Sequence, residues 1–330
     1  MKKVVYSRAP VRICDIGGWT DTWFYPRGAV FNIAVDLFNY IRVSQNNRDF
    51  VRISSENLEI DTEFDIKNIV YDGELDLLKA VIKTMRINRG IDVNVRSDVP
   101  PGCGTGTSAS VAVALISALA NFQGEYKGPT EIASIAHQIE TDELKLESGV
   151  QDQYAAAYGG INFMEIDYPS VKITPINITK NRIYEYENQL MLVYFGSRSS
   201  SEMHEAVIEK FKQKDVKVIK AFDTIKNCAL EMKNSSKLTM EEIGEILNTN
   251  WEAQKQLHPL MTNKTIENAE KIARNKGALG FKCNGAGGGG SATVLAKPEE
   301  IYSLKKEYTR NGYKLLPCKL NFEGAYSFML

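Results

Sequence analysis

The residues best suited to chemistry begin with a glycine-rich run, Pro-Pro-Gly-Cys-Gly-Thr-Gly-Thr-Ser. Gly102, Gly104 and Gly106 alternate in it and let the backbone approach a ligand closely. The run lies between a predicted strand and a predicted apolar helix, whose first N–H groups have no partner within the helix and lie at the positive end of its dipole. A helix start of this kind binds anions, so the run predicts a phosphate site in which the hydroxyls of Thr107 and Ser108 bind phosphate or Mg²⁺.

Other interpretations of this run stay open on the residues alone. A Gly-Lys-Ser/Thr P-loop is excluded, because no lysine follows the glycines. A dinucleotide-binding loop fits Gly104, Gly106 and Ala109, but that motif requires an acidic residue about twenty positions on, at the end of a strand. Glu125 has the distance but lies in a polar loop. A nucleotide-dependent oxidoreductase therefore remains an alternative, as does a tight turn without a ligand.

A second glycine run, Cys-Asn-Gly-Ala-Gly-Gly-Gly-Gly-Ser at positions 283–291, lies between two predicted strands. Four consecutive glycines carry a large entropic cost, and a hairpin needs only two turn residues. Short apolar strands on both sides argue against a flexible linker. The run therefore indicates close approach of the backbone to a ligand or to the first glycine run.

Near the N-terminus, a predicted strand ends in a Gly17-Gly18 turn that is followed by Trp19 and Asp21. A carboxylate accepts hydrogen bonds from hydroxyl groups, and an aromatic ring packs on the apolar face of a sugar. The turn is therefore compatible with a sugar site. On its own, it favours a solvated aspartate in a simple turn.

Two carboxylates complete the candidate chemistry. Glu140 lies late in a helix predicted over 130–143, and Asp152 lies at the start of the next predicted helix. Phosphoryl transfer needs a cation on the phosphates and a group that orients the acceptor hydroxyl, and two carboxylates can divide these roles. An aspartate at a helix start is also a common N-cap. His137 and Glu140 are three residues apart, which alone is a weak metal signal.

Composition limits the classes of function. The 330 residues include 40 basic and 41 acidic side chains, which favours neither nucleic acid nor an anionic membrane as the main partner. Five cysteines without C-x-x-C spacing and three scattered histidines predict reduced thiols and no zinc site. No signal peptide or membrane span is predicted, so we expect a cytoplasmic protein. We expect it to act on a small molecule, and a homodimer is compatible with the sequence.

Strands, then helices, then strands predict an α+β protein of two lobes rather than a regular βαβ array. A polar stretch at 187–189 predicts the boundary, with domains at 1–186 and 187–330. The first domain contains the first glycine run and Asp152, and the second contains the second glycine run.

Together these motifs resemble those of the GHMP kinases, the superfamily of galactokinase, homoserine kinase, mevalonate kinase and phosphomevalonate kinase. The family's three motifs appear in order at Ala9–Asp21, Pro100–Ser110 and Asn284–Ser291, and Gly149–Tyr154 also matches. The resemblance spans nearly the whole chain. It implies a two-lobed GHMP kinase fold with the active site in the cleft between the lobes, and ATP and Mg²⁺ as cofactors.

The resemblance also implies roles for matching positions. Asp152 would act as the base or as an electrostatic partner of the acceptor hydroxyl, with Arg12 beside it, and Ser108 and Glu140 would hold Mg²⁺. The residues that would bind the ATP phosphates are Gly102, Cys103, Gly104, Thr105, Gly106, Thr107 and Ser108. The residues that would shape the acceptor site are Asp21, Gly18, Trp19, Gly287 and Gly288.

The acceptor is less well defined. The stretches 151–165 and 194–200 are similar to those of D-glycero-D-manno-heptose 7-phosphate kinases, whereas the turn with Trp19 is similar to that of bacterial fucokinases. A heptose 7-phosphate, phosphorylated at its anomeric hydroxyl, is the expected acceptor, with fucose, galactose or a hexuronic acid as alternatives. A phosphorylated acceptor needs cations at its far end, for which Arg27, Arg198 and Lys282 are candidates.

Overall fold

The computed structural model describes residues 3–197 and 201–330 and contains two β-sheets flanked by helices. The larger sheet has eight strands and the smaller has four. The strands are β1 (Val4–Ile16), β2 (Ala29–Gln45), β3 (Phe50–Ser55), β4 (Ile60–Asp65), β5 (Ile91–Ser97), β6 (Ile161–Asp167), β7 (Ser170–Pro175), β8 (Leu190–Gly196), β9 (Ala278–Cys283), β10 (Gly290–Ala296), β11 (Lys314–Leu316) and β12 (Tyr326–Met329).

Ten α-helices lie among the described residues. A π-helical turn at Ile139–Glu143 follows the third of them, and short 3₁₀ turns lie at Glu56–Leu58 and Pro259–Met261. The helices are α1 (Asp76–Thr84), α2 (Thr107–Gln123), α3 (Pro129–Gln138), α4 (Gln151–Tyr158), α5 (Lys180–Gln189), α6 (Ser201–Lys212), α7 (Val216–Met232), α8 (Met240–Lys255), α9 (Lys264–Asn275) and α10 (Pro298–Arg310). None of these helices is long and apolar enough to cross a membrane.

The larger sheet is built around the long strand β2. The strand order is β12-β1-β2-β5-β3-β4, and all pairs are antiparallel except β3 with β5. The second half of β2 pairs with β5, and its first half, from Ala29 to Ile33, pairs with β6. One strand therefore supports two branches of the sheet.

Burial along β1 explains how charged side chains come to lie inside the protein. The strand alternates between buried and half-buried residues up to Arg8 and is buried throughout from Ala9 to Ile16. Helices α2 and α4 contact it, and so do α7 and α8. The end of β1 is therefore enclosed by helices of both parts of the chain, with its charged residues facing other charged groups.

The buried helix predicted after the first glycine run is confirmed as α2. Its residues are small and aliphatic, and its middle, from Ala112 to Ala120, is buried on every side. It contacts β1, β2 and β12 on the sheet and α3 and α4 beside it. Small side chains let these elements approach closely, so the start of α2 is rigidly positioned at the cleft.

The two sheets divide the chain close to the predicted boundary. The smaller sheet has the order β11-β8-β10-β9, and its first strand begins at Leu190, directly after α5. The last strand, β12, returns to the larger sheet and pairs with β1 from Val5↔Met329 to Arg8↔Tyr326. The division at 186 and 187 stays a prediction, and the chain crosses between the sheets twice.

Candidate active site

A cleft between the two sheets contains a cavity of about 180 Å³, called here the first cavity. Its walls come from the end of β1 and the turn after it, the start of α4, α6 and the second glycine run. The charged residues that line it are Arg12, Asp15, Asp21, Glu147 and Asp152, and the aromatic ones are Trp19, Trp23, Phe24 and His204.

Arg12 joins the parts of this site. Its Nε donates to Oδ1 of Asp152 at 2.8 Å and its Nη2 to Oδ2 at 3.2 Å, while Nη1 donates to the carbonyl of Gly104 at 2.5 Å. Burial lowers the pKa of Arg12, but the charges of Asp152 and Asp15 more than offset this, and the pKa lies above its usual value. The predicted neighbours Arg12 and Asp152 therefore form a two-point ion pair beside the first glycine run.

The first glycine run takes the shape that an anion site needs. Gly106 has φ 71° and precedes α2, whose start has no side-chain cap. Its missing Cβ would lie 3.1 Å from Cγ of Asp152, so glycine lets the loop lie against the carboxylate. The first N–H groups of α2 therefore lie close to Asp152 and have no side-chain cap. These N–H groups can bind an anion.

A second cavity of about 370 Å³ is lined in part by this run. Gly102, Thr107 and Ser108 line it, together with apolar residues such as Leu75 and Val99. An apolar slot next to a helix start suits a ligand with a flat ring and an anionic group. The side chains of Cys103 and Thr105 in the same run are buried, so only the backbone of these residues is available to a ligand.

The predicted close approach of the two glycine runs is confirmed. A Cβ on Gly290 would lie 2.6 Å from the carbonyl oxygen of Cys103, and one on Gly104 would lie 2.8 Å from that of Asn284. The hydroxyl of Ser291 donates to the Cys103 carbonyl at 2.8 Å. The second run therefore supports the first by backbone packing that side chains would prevent.

Other parts of the second run lie away from the first cavity. Gly287 and Gly288 pack against Met261 and Leu260, and the N–H of Gly288 donates to the Met261 carbonyl at 2.8 Å. Gly285 and Ala286 line the cavity instead. The acceptor roles of Gly287 and Gly288 stay predictions.

Glu140 lies on the π-helical turn that follows α3, where the predicted helix continues in a wider form. Turns of this type often occur at functional sites. Its Oε2 accepts hydrogen bonds from Ser148 Oγ at 2.5 Å and Gln153 Nε2 at 2.8 Å, whereas Oε1 is buried without a hydrogen-bond partner. Burial raises the pKa of Glu140 to about 7. The side chain is thus a buried carboxylate with one oxygen available to a cation.

Ser108 is exposed at the start of α2, as a ligand-binding hydroxyl requires. Within residues 3–197 and 201–330, no three His, Cys, Asp or Glu side chains are close enough together to hold a metal ion. A cation in this cleft would therefore be shared between a few protein oxygens and an anionic ligand.

Asp21 is buried and anchored. Its Oδ2 accepts a hydrogen bond from the Gln151 N–H at 3.0 Å, and burial raises its pKa to about 6. Gly149 lies directly against the carboxylate, where any Cβ would overlap it. Gly18 lies nearby, and its Cβ would be 3.1 Å from Nε2 of Gln151.

Asp15 was missed by the sequence analysis. Its Oδ1 accepts from Lys282 Nζ at 3.0 Å and its Oδ2 from the Gly285 N–H at 3.0 Å, and both charged side chains are buried. Its Oδ2 also lies 3.9 Å from Nη2 of Arg12. An aspartate in the apolar end of a strand is the signal that would have identified it.

The two described candidates for binding a distal phosphate, Arg27 and Lys282, do not line the first cavity. Lys282 pairs with Asp15, and Arg27 is exposed and does not line the cavity. Arg198, with the stretch that ends at Ser200, lies outside the described residues.

Comparison with known protein families decides the fold and the class of chemistry. The N-terminal domain of the GHMP kinases matches residues 75–160, and their C-terminal domain matches residues 232–314. The two matches together cover just over half of the chain. The chain belongs to the GHMP kinases. These enzymes are phosphotransferases that transfer phosphate from ATP to an alcohol group, which removes the oxidoreductase alternative.

Several known proteins are similar to this chain over most of its length. D-glycero-alpha-D-manno-heptose 7-phosphate kinase of Campylobacter jejuni subsp. jejuni serotype O:2 is 29% identical, across 99% of this chain and 100% of that protein. The bifunctional fucokinase/GDP-fucose pyrophosphorylase of Arabidopsis thaliana is 25% identical, across 88% of this chain and 30% of that protein. The crystal structure of a D-glycero-D-manno-heptose 1-phosphate kinase from Bacteriodes thetaiotaomicron superposes with a TM-score of 0.82 at 24% identity, across 99% of both chains. The predicted α+β fold is confirmed.

Proposed function

We propose that this GHMP kinase transfers the γ-phosphoryl group of ATP to the anomeric hydroxyl of a sugar or sugar phosphate. The observation that carries the proposal is the position of Arg12, whose guanidinium binds Asp152 in the first cavity and the Gly104 carbonyl in the glycine run. Arg12 and Asp152 line a cavity with carboxylates, and the run itself lines an apolar one. This arrangement supports an acceptor on one side of the run and a nucleotide on the other.

In the proposed reaction, the acceptor oxygen forms a bond to the γ-phosphorus while the bond to the β–γ bridging oxygen breaks. The electron pair of that bond leaves with ADP, and the hydroxyl proton passes towards Asp152. Asp152 accepts the hydrogen bond of the hydroxyl and so directs its oxygen at the phosphorus. Arg12 fixes the carboxylate at two points, and the start of α2 binds the phosphates through Gly102 to Ser108.

We propose that Ser108 and Glu140 hold Mg²⁺ with the nucleotide. The buried, unpartnered Oε1 of Glu140 fits this role, because a cation would satisfy it and stabilise the ionised carboxylate. The ion would offset the charge of the β- and γ-phosphates.

We propose that Asp21 accepts hydrogen bonds from the acceptor's hydroxyls and that Trp19 packs on its ring. The similar proteins include a heptose 7-phosphate kinase and a fucokinase. D-glycero-D-manno-heptose 7-phosphate is therefore the first acceptor to test, with fucose, galactose and a hexuronic acid as alternatives. The homodimer and the cytoplasmic location stay predictions.

The test is a coupled ADP-release assay over this panel of acceptors, with Asp152→Asn as the inactive variant. We expect ADP release that depends on a sugar and a loss of two to four decades in kcat for the variant, because a positioned proton acceptor contributes about that much. Asp167→Asn, an exposed aspartate at the end of β6, is the matched control and should retain wild-type activity. The proposal would be disproved if no sugar of the panel supported ADP release, or if Asp152→Asn kept full activity.

A further inference from the structure

We infer that the acceptor of this kinase is a sugar that carries no phosphate group. The inference rests on the proposed function and narrows its substrate. Four carboxylates line the first cavity, those of Asp15, Asp21, Glu147 and Asp152. A phosphate on the acceptor would place a second dianion among them, in addition to the phosphates of ATP.

Two cations of the cleft lie among the described residues, Arg12 and Lys282, and both are already engaged. Every polar nitrogen of Arg12 has a partner, since Nε and Nη2 donate to Asp152 and Nη1 to the Gly104 carbonyl. Lys282 lies behind the wall of the cavity, where it donates to Asp15 and to the Cys283 carbonyl. When Lys282 is counted together with Arg12, the four lining carboxylates still exceed these two cations by two charges.

One further lysine lies near the mouth of the cavity. Nζ of Lys212 is 4.9 Å from the centre of the Trp23 ring, and Lys212 is not among the residues that line the cavity. The Nε1 of Trp23 donates to Oε2 of Glu147 at 2.5 Å, so a carboxylate lies on the cavity side of this ring. Trp23 therefore contacts a carboxylate that lines the cavity and an ammonium group that does not.

The apolar part of the lining also suits an uncharged ligand. Trp19 has φ 78°, a backbone conformation that bulky residues rarely adopt, so its indole is held in place at a cost in strain. Nε1 donates to the Ala286 carbonyl at 3.3 Å, and the ring centre lies 4.8 Å from that of His204. A fixed indole wall with Phe24 and Ile208 nearby packs on the C–H face of a sugar, while the carboxylates accept its hydroxyls.

The test compares each sugar with its own distal phosphate ester in the ADP-release assay. The pairs are mannose with mannose 6-phosphate, galactose with galactose 6-phosphate, and D-glycero-D-manno-heptose with its 7-phosphate. We expect kcat/KM to be at least about tenfold higher for the unphosphorylated member of the best pair, since each carboxylate within about 7 Å weakens binding of a dianion by roughly three- to tenfold. A higher kcat/KM for the phosphorylated member would overturn the inference and leave the proposed function intact. Failure of the proposed function looks different, because no member of any pair would then release ADP.

A charge-removing variant tests the physical cause. Glu147→Gln keeps an oxygen for the Trp23 N–H and removes one negative charge at the mouth. It should narrow the preference for the unphosphorylated sugar by roughly three- to tenfold. Glu299→Gln, an exposed carboxylate on α10, is the matched control and should leave the ratio unchanged. A ratio in Glu147→Gln equal to that of the wild type would refute the role of the acidic lining.

Discussion

Arg12 shows how much of the site depends on single side chains. Its guanidinium is buried, yet it has a carboxylate and a carbonyl as partners in good geometry, which is what makes a buried cation tolerable. Lysine in its place could not donate to Asp152 at two points and to Gly104 at the same time. Asp152 is therefore positioned by an arginine from a strand 140 positions earlier in the chain.

Asp21 provides a prediction about pH. Burial raises its pKa to about 6, so the hydrogen-bond-accepting carboxylate form is populated above that pH and lost below it. We expect the KM for the sugar to rise as the pH falls from 7 to 5, measured by initial rates at saturating ATP. Asp21→Asn should have a high KM with no such dependence. A wild-type KM that is constant over this range would show that Asp21 does not bind the acceptor.

The raised pKa of Asp21 also predicts how the free energy of unfolding depends on pH. The folded protein binds the Asp21 proton more tightly than the unfolded chain, whose aspartate has a pKa near 3.8. The contribution of this residue to the free energy of unfolding therefore falls as the pH rises from about 4 to about 6. Asp21→Asn should remove that part of the pH dependence in denaturant titrations.

The two glycine runs act as one structural element. Backbone positions of one run lie within reach of backbone carbonyls of the other, so neither can take a Cβ at the contact. The π-helical turn with Glu140 packs against α1 and α3, and α2, whose start has no side-chain cap, packs against α4 and the larger sheet. The ligand-binding backbone is thus held by packing on several sides, which leaves its N–H groups available.

Gly290→Ala tests this contact. Gly290 has φ 83°, and its Cβ would lie 2.6 Å from the Cys103 carbonyl oxygen. We expect a loss of about 3 kcal/mol in the free energy of unfolding, from backbone strain and overpacking together, and a higher KM for ATP. Urea titrations and initial rates measure the two effects.

Gly312→Ala is the matched control for that variant. Gly312 has φ 81° with no atom within 4 Å of its Cβ position, so it isolates the strain, which costs about 1–2 kcal/mol. An equal loss of stability in both variants, with an unchanged KM for ATP, would contradict the proposed packing of the two runs.

At the level of the whole protein, a buried ion pair connects the two sheets across the cleft. Asp15 is on β1 of the larger sheet and Lys282 is on β9 of the smaller one, and both side chains are 1% exposed. Asp15 also accepts from Gly285 and lies close to Arg12. The relative position of the sheets and the order of the site are therefore coupled through one carboxylate.

Lys282→Met removes the ammonium group that donates to the buried Asp15 and leaves Arg12, 3.9 Å away, as the nearest cation. We expect a loss of about 3 kcal/mol in the free energy of unfolding, measured by urea denaturation, because a buried carboxylate that loses its hydrogen-bonded cation keeps its desolvation cost. The double variant Asp15→Asn/Lys282→Met should recover at least half of that loss. Lys297→Met, which breaks the exposed pair with Glu241, should be close to the wild type. A single variant as stable as the wild type would show that the pair does not hold the sheets together.

Local features of the sequence determined a large part of this protein. The glycines at 102, 104 and 106 have positive φ as their type predicts, and the small aliphatic residues of α2 predicted a buried helix. The order of strands and helices predicted the α+β fold, and the ordered motifs predicted the family. These properties follow from backbone conformation and hydrophobic patterning, which neighbouring residues set.

Only the tertiary structure decided which distant residues meet. The pair of Asp15 and Lys282 joins positions 267 apart, and the lack of space at Gly149 arises from the Asp21 carboxylate. The sequence made Lys282 a candidate for binding a phosphate on the acceptor, but in the folded chain its ammonium group donates to Asp15. Contacts of this kind depend on how the two sheets pack, so no local pattern encodes them. They determine which charged side chains of the first cavity are paired.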